Sequence, residues 1–310
     1  TEPRADINYL WTARLVGHHA TLISTFAELR DTFDTHLITG RYEEARATLD
    51  TVFEKFGYSF WYLDRRFQLL QLSGGLSDQK SYLSEILEEK WLNPFVGYFS
   101  YMFSLKAEPH ASIETVVEVM IDARAMSKRM GYFVRALLAP SYLLEEEQPH
   151  LAISAVEGAS LIDRYQVLVQ VLSVSTVSER PETAELLRPC LELLREVTDR
   201  RLATLRIVAG LPVSTRDETR AAEALSVFEL YTTGDYQAAI ARVQTSLTED
   251  ATNSPLLEIL SRSCACRSED STASLPEESP ARQAQGAVDS LIQMTSDYPQ
   301  ARAKLHRIGL

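Results

Sequence analysis

Gly40-Arg41-Tyr42-Glu43-Glu44-Ala45 and Gly234-Asp235-Tyr236-Gln237-Ala238-Ala239 are two versions of one phrase, and their reading decides the fold. Each stands between two stretches of helical periodicity. The Gly permits a backbone reversal that other residues resist. The Tyr opens the following helix and packs on the preceding one, and the small Ala three residues later lets the two helices approach closely. The phrase is therefore predicted to be the turn of a helical hairpin.

Outward from the first phrase, Leu22, Phe26, Leu29, Phe33 and Leu37 form one apolar stripe, and Tyr42, Ala45, Leu49 and Phe53 another. Their three- and four-residue spacings predict amphipathic helices. Phe60, Leu63, Phe67 and Leu70 predict a third helix, ended by Gly74-Gly75. Tyr82, Ile86 and Leu87 mark a fourth, reaching about Lys90, with Ser77 expected as its N-cap. Asn93-Pro94 opens an apolar segment to Phe103, expected as a helix covered by neighbours on most sides.

Further on, Ile113 to Met130, Tyr132 to Glu147 and Leu151 to Asp163 read as helices. The β-branched run Val167 to Val174 suits a buried strand on propensity alone, but the chain offers no partner strand, so it is expected to be helical. Glu182 to Ile207 reads as helix with a kink or break at Pro189. Thr215-Arg216-Asp217-Glu218 has the pattern of a capping box ahead of the second phrase.

The two phrases start 194 residues apart. Five hairpins between them give roughly 39 residues each, inside the range of about 34 to 47 for two-helix repeats. The expected architecture is all-α, with about seven antiparallel helical hairpins stacked into a curved α-solenoid. Its expected organisation is a repeat array over residues 1–266, a flexible acidic Ser/Pro-rich loop over 267–282, and C-terminal helices over 283–310 that cap the array. Thr1 in place of an initiator Met, and helical character resuming at Ala301, suggest one part of a larger protein.

The phrases resemble tetratricopeptide repeats (TPR), whose turn reads Gly-Asp-Tyr with Ala three residues on, then apolar residues and a late Pro. Gly234-Asp235-Tyr236, Ala239, Ile240, Val243, Leu247 and Pro255 fit that pattern; Gly40, Tyr42, Ala45, Leu49 and Phe53 fit it with Arg41 in place of Asp. Phe33 and Val227 depart from it, standing where the family commonly has a Gly. The good resemblance covers roughly 70 residues. It implies a protein- or peptide-binding role on a concave face. The carboxylate-clamp residues of the chaperone-binding members have no matching set here.

Bulk composition agrees. Of 310 residues, 45% are hydrophobic and 24% charged, and Gly and Pro number only 12 each, too few for the many turns of a sheet protein. A net charge of −12 opposes nucleic-acid binding, which relies on Lys and Arg displacing counterions. The three cysteines do not make a disulfide framework, no run has the ~18 apolar residues of a membrane span, and the N-terminus has no signal-peptide pattern. A cytoplasmic protein without membrane insertion is expected.

Chemical motifs fail on context. Cys264-Ala-Cys266 has no second Cys or His pair for zinc. Glu147-Gln-Pro-His150 has di-iron spacing but contains Pro149, and adjacent His18 and His19 point about 100° apart on a helix. Ser77 to Lys80 has the Ser-x-x-Lys spacing without the α/β surroundings such hydrolases need. Arg30 and His36 fit the loose Arg-x₄₋₆-His pattern of HEPN ribonucleases, a spacing that arises readily by chance, and such catalysis would pair two chains across a dimer. No enzymatic activity, cofactor or metal is expected.

What remains is aromatic. Phe60, Trp61, Tyr62, Trp91, Phe95, Tyr98, Phe99, Tyr101 and Phe103 are expected mainly between hairpins, with one or two exposed as a recognition surface. Trp61, Arg65, Arg66, Trp91, Tyr98 and Tyr101 are the candidate partner-binding residues, the Arg pair facing an acidic peptide or carboxylate. The expected function is a non-catalytic scaffold, adaptor or regulatory subunit that holds a peptide or partner protein. The alternative is a ligand- or peptide-responsive sensor domain of a larger system.

Overall fold

The two Gly phrases form the same turn. Gly40 and Gly234 take φ of 72° and 83°, and the next residue's N–H reaches back five residues: Arg41 to the His36 carbonyl at 2.8 Å, Asp235 to the Leu230 carbonyl at 3.0 Å. This left-handed cap satisfies carbonyls at the end of one helix and turns the chain into the next. Ala45 and Ala239 are fully buried, as close helix approach requires. Asp235 adds a side-chain cap, its Oδ1 accepting the Ala238 N–H at 3.1 Å; Arg41 has no carboxylate to do the same.

The computed structural model describes residues 5–38, 40–88, 94–108, 150–177, 181–214 and 233–249, together with 219, 222, 223, 226, 227, 229 and 230. Eleven helices lie among them: α1 (Ala5–His18), α2 (Ala20–Ile38), α3 (Tyr42–Phe56), α4 (Phe60–Ser73), α5 (Gly75–Glu88), α6 (Pro94–Ala107), α7 (His150–Ala155), α8 (Leu161–Val177), α9 (Pro181–Leu193), α10 (Arg200–Val208) and α11 (Tyr236–Glu249). No strand occurs among the described residues. The chain is all-helical, and no described helix is long and apolar enough to cross a membrane. The helices expected over 113–147, the Thr215–Glu218 box, the 267–282 loop and the 283–310 helices lie outside the described residues.

Several helices differ in detail from expectation. α1 was not anticipated, although Tyr9, Ala13 and Val16 have helical spacing and are buried. On α2 Phe26, Phe33 and Leu37 and on α3 Ala45 and Leu49 are buried as expected, but Ile23 is buried in place of Leu22 and Val52 in place of Phe53, which leaves Leu22 and Phe53 exposed. α5 begins at Gly75, so Ser77 lies inside its first turn instead of capping it. The Val167–Val174 run is part of α8. Pro189 is accommodated inside α9, and the break falls at residues 194–199, where Asp199 caps α10.

The chain divides into two compact units. The first holds residues 1–29 and 49–217. Within it α8 is the hub, packing on α4, α7, α9 and α10; α1 covers α7, α8 and α9; and α4, α5 and α6 pack on one another. Two buried carboxylates organise the hub. Asp163, in the first turn of α8, accepts the Phe60 N–H through Oδ2 at 2.9 Å and the Trp61 N–H through Oδ1 at 3.0 Å, so it caps α4 from about a hundred residues away. Ser160 donates to the same carboxylate at 2.8 Å and accepts the Asp163 N–H at 3.1 Å. Burial raises the Asp163 carboxyl above the ordinary carboxylate range, opposed by those N–H and O–H donors. Two residues on, the Tyr165 hydroxyl donates to Asp199, whose other oxygen caps α10 by accepting the Arg201 N–H at 2.7 Å. One helix thus caps the N-terminus of α4 through Asp163 and holds the capping residue of α10 through Tyr165.

The second unit holds residues 30–48 and 218–310. Its described core includes Phe33, Leu37, Ala45, Val227, Ala239, Ile240 and Val243, and the Ser246 hydroxyl donates to Glu223.

A candidate partner-binding surface on α3 to α6

Helix α4 carries three of the six candidate residues, Trp61, Arg65 and Arg66, and its faces have different fates. Ser59 sets its start: in extended conformation (φ −135°, ψ 159°), it accepts the Tyr62 N–H at 3.0 Å. Trp61 then points inward. It is buried and meets Phe26 edge-on at 4.9 Å, and Phe26 also meets Phe56 at 5.9 Å. Phe60 meets Phe99 of α6 at a tilt, centroids 4.8 Å apart, with Phe103 beyond at 6.4 Å. Most of the described aromatics here form the core between helices.

Polar contacts hold α4, α5 and α6 in register. Buried Gln79 donates to the Ser104 carbonyl at 2.6 Å and accepts from the Ser104 hydroxyl at 3.3 Å. Lys80 donates to the Ser104 hydroxyl at 3.0 Å and pairs with Glu108. Lys80 is thereby committed to α6 and not to Ser77. Lys106 of α6 reaches Asp64 of α4 at 3.0 Å. Sequence reasoning missed these contacts, since Gln79 and Ser104 have no local pattern that marks them as partners.

Two groups of side chains reach the surface from this scaffold. On α5 and α6, Leu87 is 57% and Tyr101 48% exposed, with Tyr98 half-buried beside Phe99 at 5.6 Å. Leu87 lies against Gly97, where an added Cβ would meet its methyl at 3.2 Å. Trp91 lies outside the described residues.

The other group lies on α3, α4 and α5. Phe53 and Tyr58, 36% and 38% exposed, meet edge-on at 4.9 Å, and both contact Tyr62, at 5.2 and 6.0 Å. Arg66 holds its guanidinium over the Tyr82 ring at 5.7 Å, with Asp50 at 3.4 Å. Burial raises the Tyr62 hydroxyl and, more strongly, that of Tyr82, while Arg66 pulls both down. Arg65 donates to Gln68 at 2.7 Å on a different face.

Among the described residues, the side chains of the chemical motifs are placed apart or held by other partners. Arg30 is buried and forks Asp31 through Nε at 3.0 Å and Nη2 at 2.6 Å. His36, six residues on, points about 120° away around the same helix and lies 3.4 Å from the Thr48 hydroxyl. His18 and His19 meet edge-on with centroids 5.0 Å apart, and no metal-binding cluster of His, Cys, Asp and Glu occurs among the described residues. Burial pushes the Cys190 thiol up to about 12, which makes it inert. The Cys264–Cys266 pair and Glu147 lie outside the described residues. An open groove of about 590 Å³ between α1 and α9 is lined by Leu10, Pro189, Glu192, Leu193, Arg195 and Glu196.

Compared with protein-family models, with curated proteins and with solved structures, the chain finds no match.

Proposed function

We propose that this chain is a non-catalytic protein-interaction module, a scaffold, adaptor or regulatory subunit that acts in the cytoplasm and binds a peptide or partner protein. Its helical hairpins stack in the manner of a TPR-like α-solenoid, a reading supported by the matching left-handed turns at Gly40 and Gly234. The observation that carries the functional reading is the exposure of Leu87 and Tyr101 on helices held rigid by the Gln79–Ser104 and Lys106–Asp64 bonds. Large apolar side chains on a preorganised frame lose little freedom on binding, so their burial converts efficiently into affinity. Capture from the native cell tests it. A stoichiometric partner is expected, and Tyr101→Asp together with Leu87→Asp should abolish its recovery without lowering the melting temperature. Recovery of no such partner, or recovery indifferent to both substitutions, would sink the reading.

The groove between α1 and α9 favours a second reading, a domain that responds to a small ligand. It expects a thermal shift with an apolar, amine-bearing compound library that Glu192→Gln removes. The absence of enzymatic activity is part of the first reading: purified protein should leave structured RNA intact, and cleavage that His36→Ala abolishes would overturn it.

A further inference from the structure

Arg66 is the one place on the described α3–α5 surface where a cation, aromatic rings and a weakly held counter-ion coincide. Three properties of the cluster narrow what it can bind. The rings of Phe53, Tyr58 and Tyr62 lie 4.9 to 6.0 Å apart, in contact with one another, so no cation fits between them as in an aromatic cage. The guanidinium is fixed against Tyr82 and so is preorganised. Its counter-ion, Asp50, is 53% exposed and held by one long contact of 3.4 Å, while the Arg66 side chain is 19% exposed, so a mostly covered cation meets a solvated carboxylate through weak geometry. An incoming carboxylate can displace Asp50 at small cost and gain a shorter, charge-assisted bond. The exposed edges of Phe53 and Tyr58, within the same cluster, offer apolar surface to the ligand's neighbouring residue.

We infer that the Arg66 cluster is a docking site for an acidic peptide segment of a partner protein, a Glu or Asp carboxylate replacing Asp50 on Arg66 while an adjacent aliphatic or aromatic side chain covers Phe53 and Tyr58. Asp50 is then a built-in competitor that occupies the site when no partner is present. This rests on the interaction-module reading above and adds the partner's chemistry. It uses a different face from Leu87 and Tyr101, so the two stand or fall by different variants.

The test titrates the full chain with fluorescein-labelled nine-residue peptides, amidated at the C-terminus, that carry Glu-Leu-Glu or its Gln-Leu-Gln counterpart at the centre. Inorganic phosphate serves as a free-anion control. The Glu peptide is expected to bind at least 10-fold more tightly than the Gln peptide, and Arg66→Gln should abolish that preference. Asp50→Asn, which removes only an exposed carboxylate and leaves the fold intact, should tighten Glu-peptide binding several-fold. Tyr101→Asp should leave it unchanged. Equal binding of the two peptides, an affinity that Asp50→Asn does not raise, or phosphate competing as well as unlabelled Glu peptide would each overturn the inference. If those results accompany partner capture that still depends on Tyr101, the interaction-module reading survives and only the Arg66 assignment falls.

Discussion

Asp163 is a single carboxylate that accepts two N–H groups at one helix start. It accepts the Phe60 and Trp61 N–H groups at the beginning of α4, and it is fully buried. Asp163→Ala removes this acceptor from both donors and should cost about 3 kcal/mol by urea unfolding. Asp163→Asn keeps one acceptor and turns an amide N–H toward the other donor, so it should cost somewhat less. The pH dependence has a definite sign. Because burial raises the folded carboxyl above its unfolded value, the folded state holds the proton more strongly between those values. Measured against Asp163→Asn, the wild type should gain stability as the pH falls from neutral through the raised value, and level off below the ordinary carboxylate range. Loss of stability in that window would contradict the sign. Tyr9 is the opposite kind of residue: a buried hydroxyl with no hydrogen-bond partner, its ionisation pushed far up by burial. Tyr9→Phe removes an uncompensated polar group and should be neutral or stabilising by up to ~1 kcal/mol in the same assay.

At the scale of elements, helix pairs are limited by how closely their backbones approach. Gly17 lies at the crossing of α1 and α9, where a Cβ would overlap the Leu193 carbonyl oxygen. A main-chain atom cannot rotate out of the way as a flexible side chain can. Gly17→Ala should therefore cost about 1–3 kcal/mol and separate these two helices, read as a lower urea midpoint and faster hydrogen exchange in α1. Gly234 presents a different constraint, since nothing lies near its Cβ position and only its φ of 83° opposes a side chain. Gly234→Ala should cost about 1 kcal/mol, and Gly234→Asn less, because Asn tolerates the left-handed region. The helix starts and turns were legible because their signals are local: the Gly phrases, Pro94, and the apolar spacing of α4. The exchanges on α2 and α3 were not. Leu22 and Ile23, or Val52 and Phe53, are adjacent apolar residues, and spacing alone does not say which one faces a neighbour.

For the whole molecule, a far-UV circular dichroism spectrum should be strongly helical with no strand component, in keeping with a described structure that contains helices alone. The same scale decides the candidate site. Aromatic composition did not say which side chains are exposed: Trp61 is sequestered against Phe26, whereas Tyr101 and Leu87 are exposed. Arg65 and Arg66 are neighbours in sequence and take different partners, Gln68 on one side and Tyr82 with Asp50 on the other. By itself, the amino-acid sequence determined the helical class and the hairpin turns, because each depends on residues a few positions apart. Only the tertiary structure decided that Asp163 caps α4, that Gln79 pairs with Ser104, and which aromatics meet solvent. Those outcomes depend on burial and on partners brought together from distant positions, and a backbone N–H or a ring carries no mark in the sequence of what will cover it.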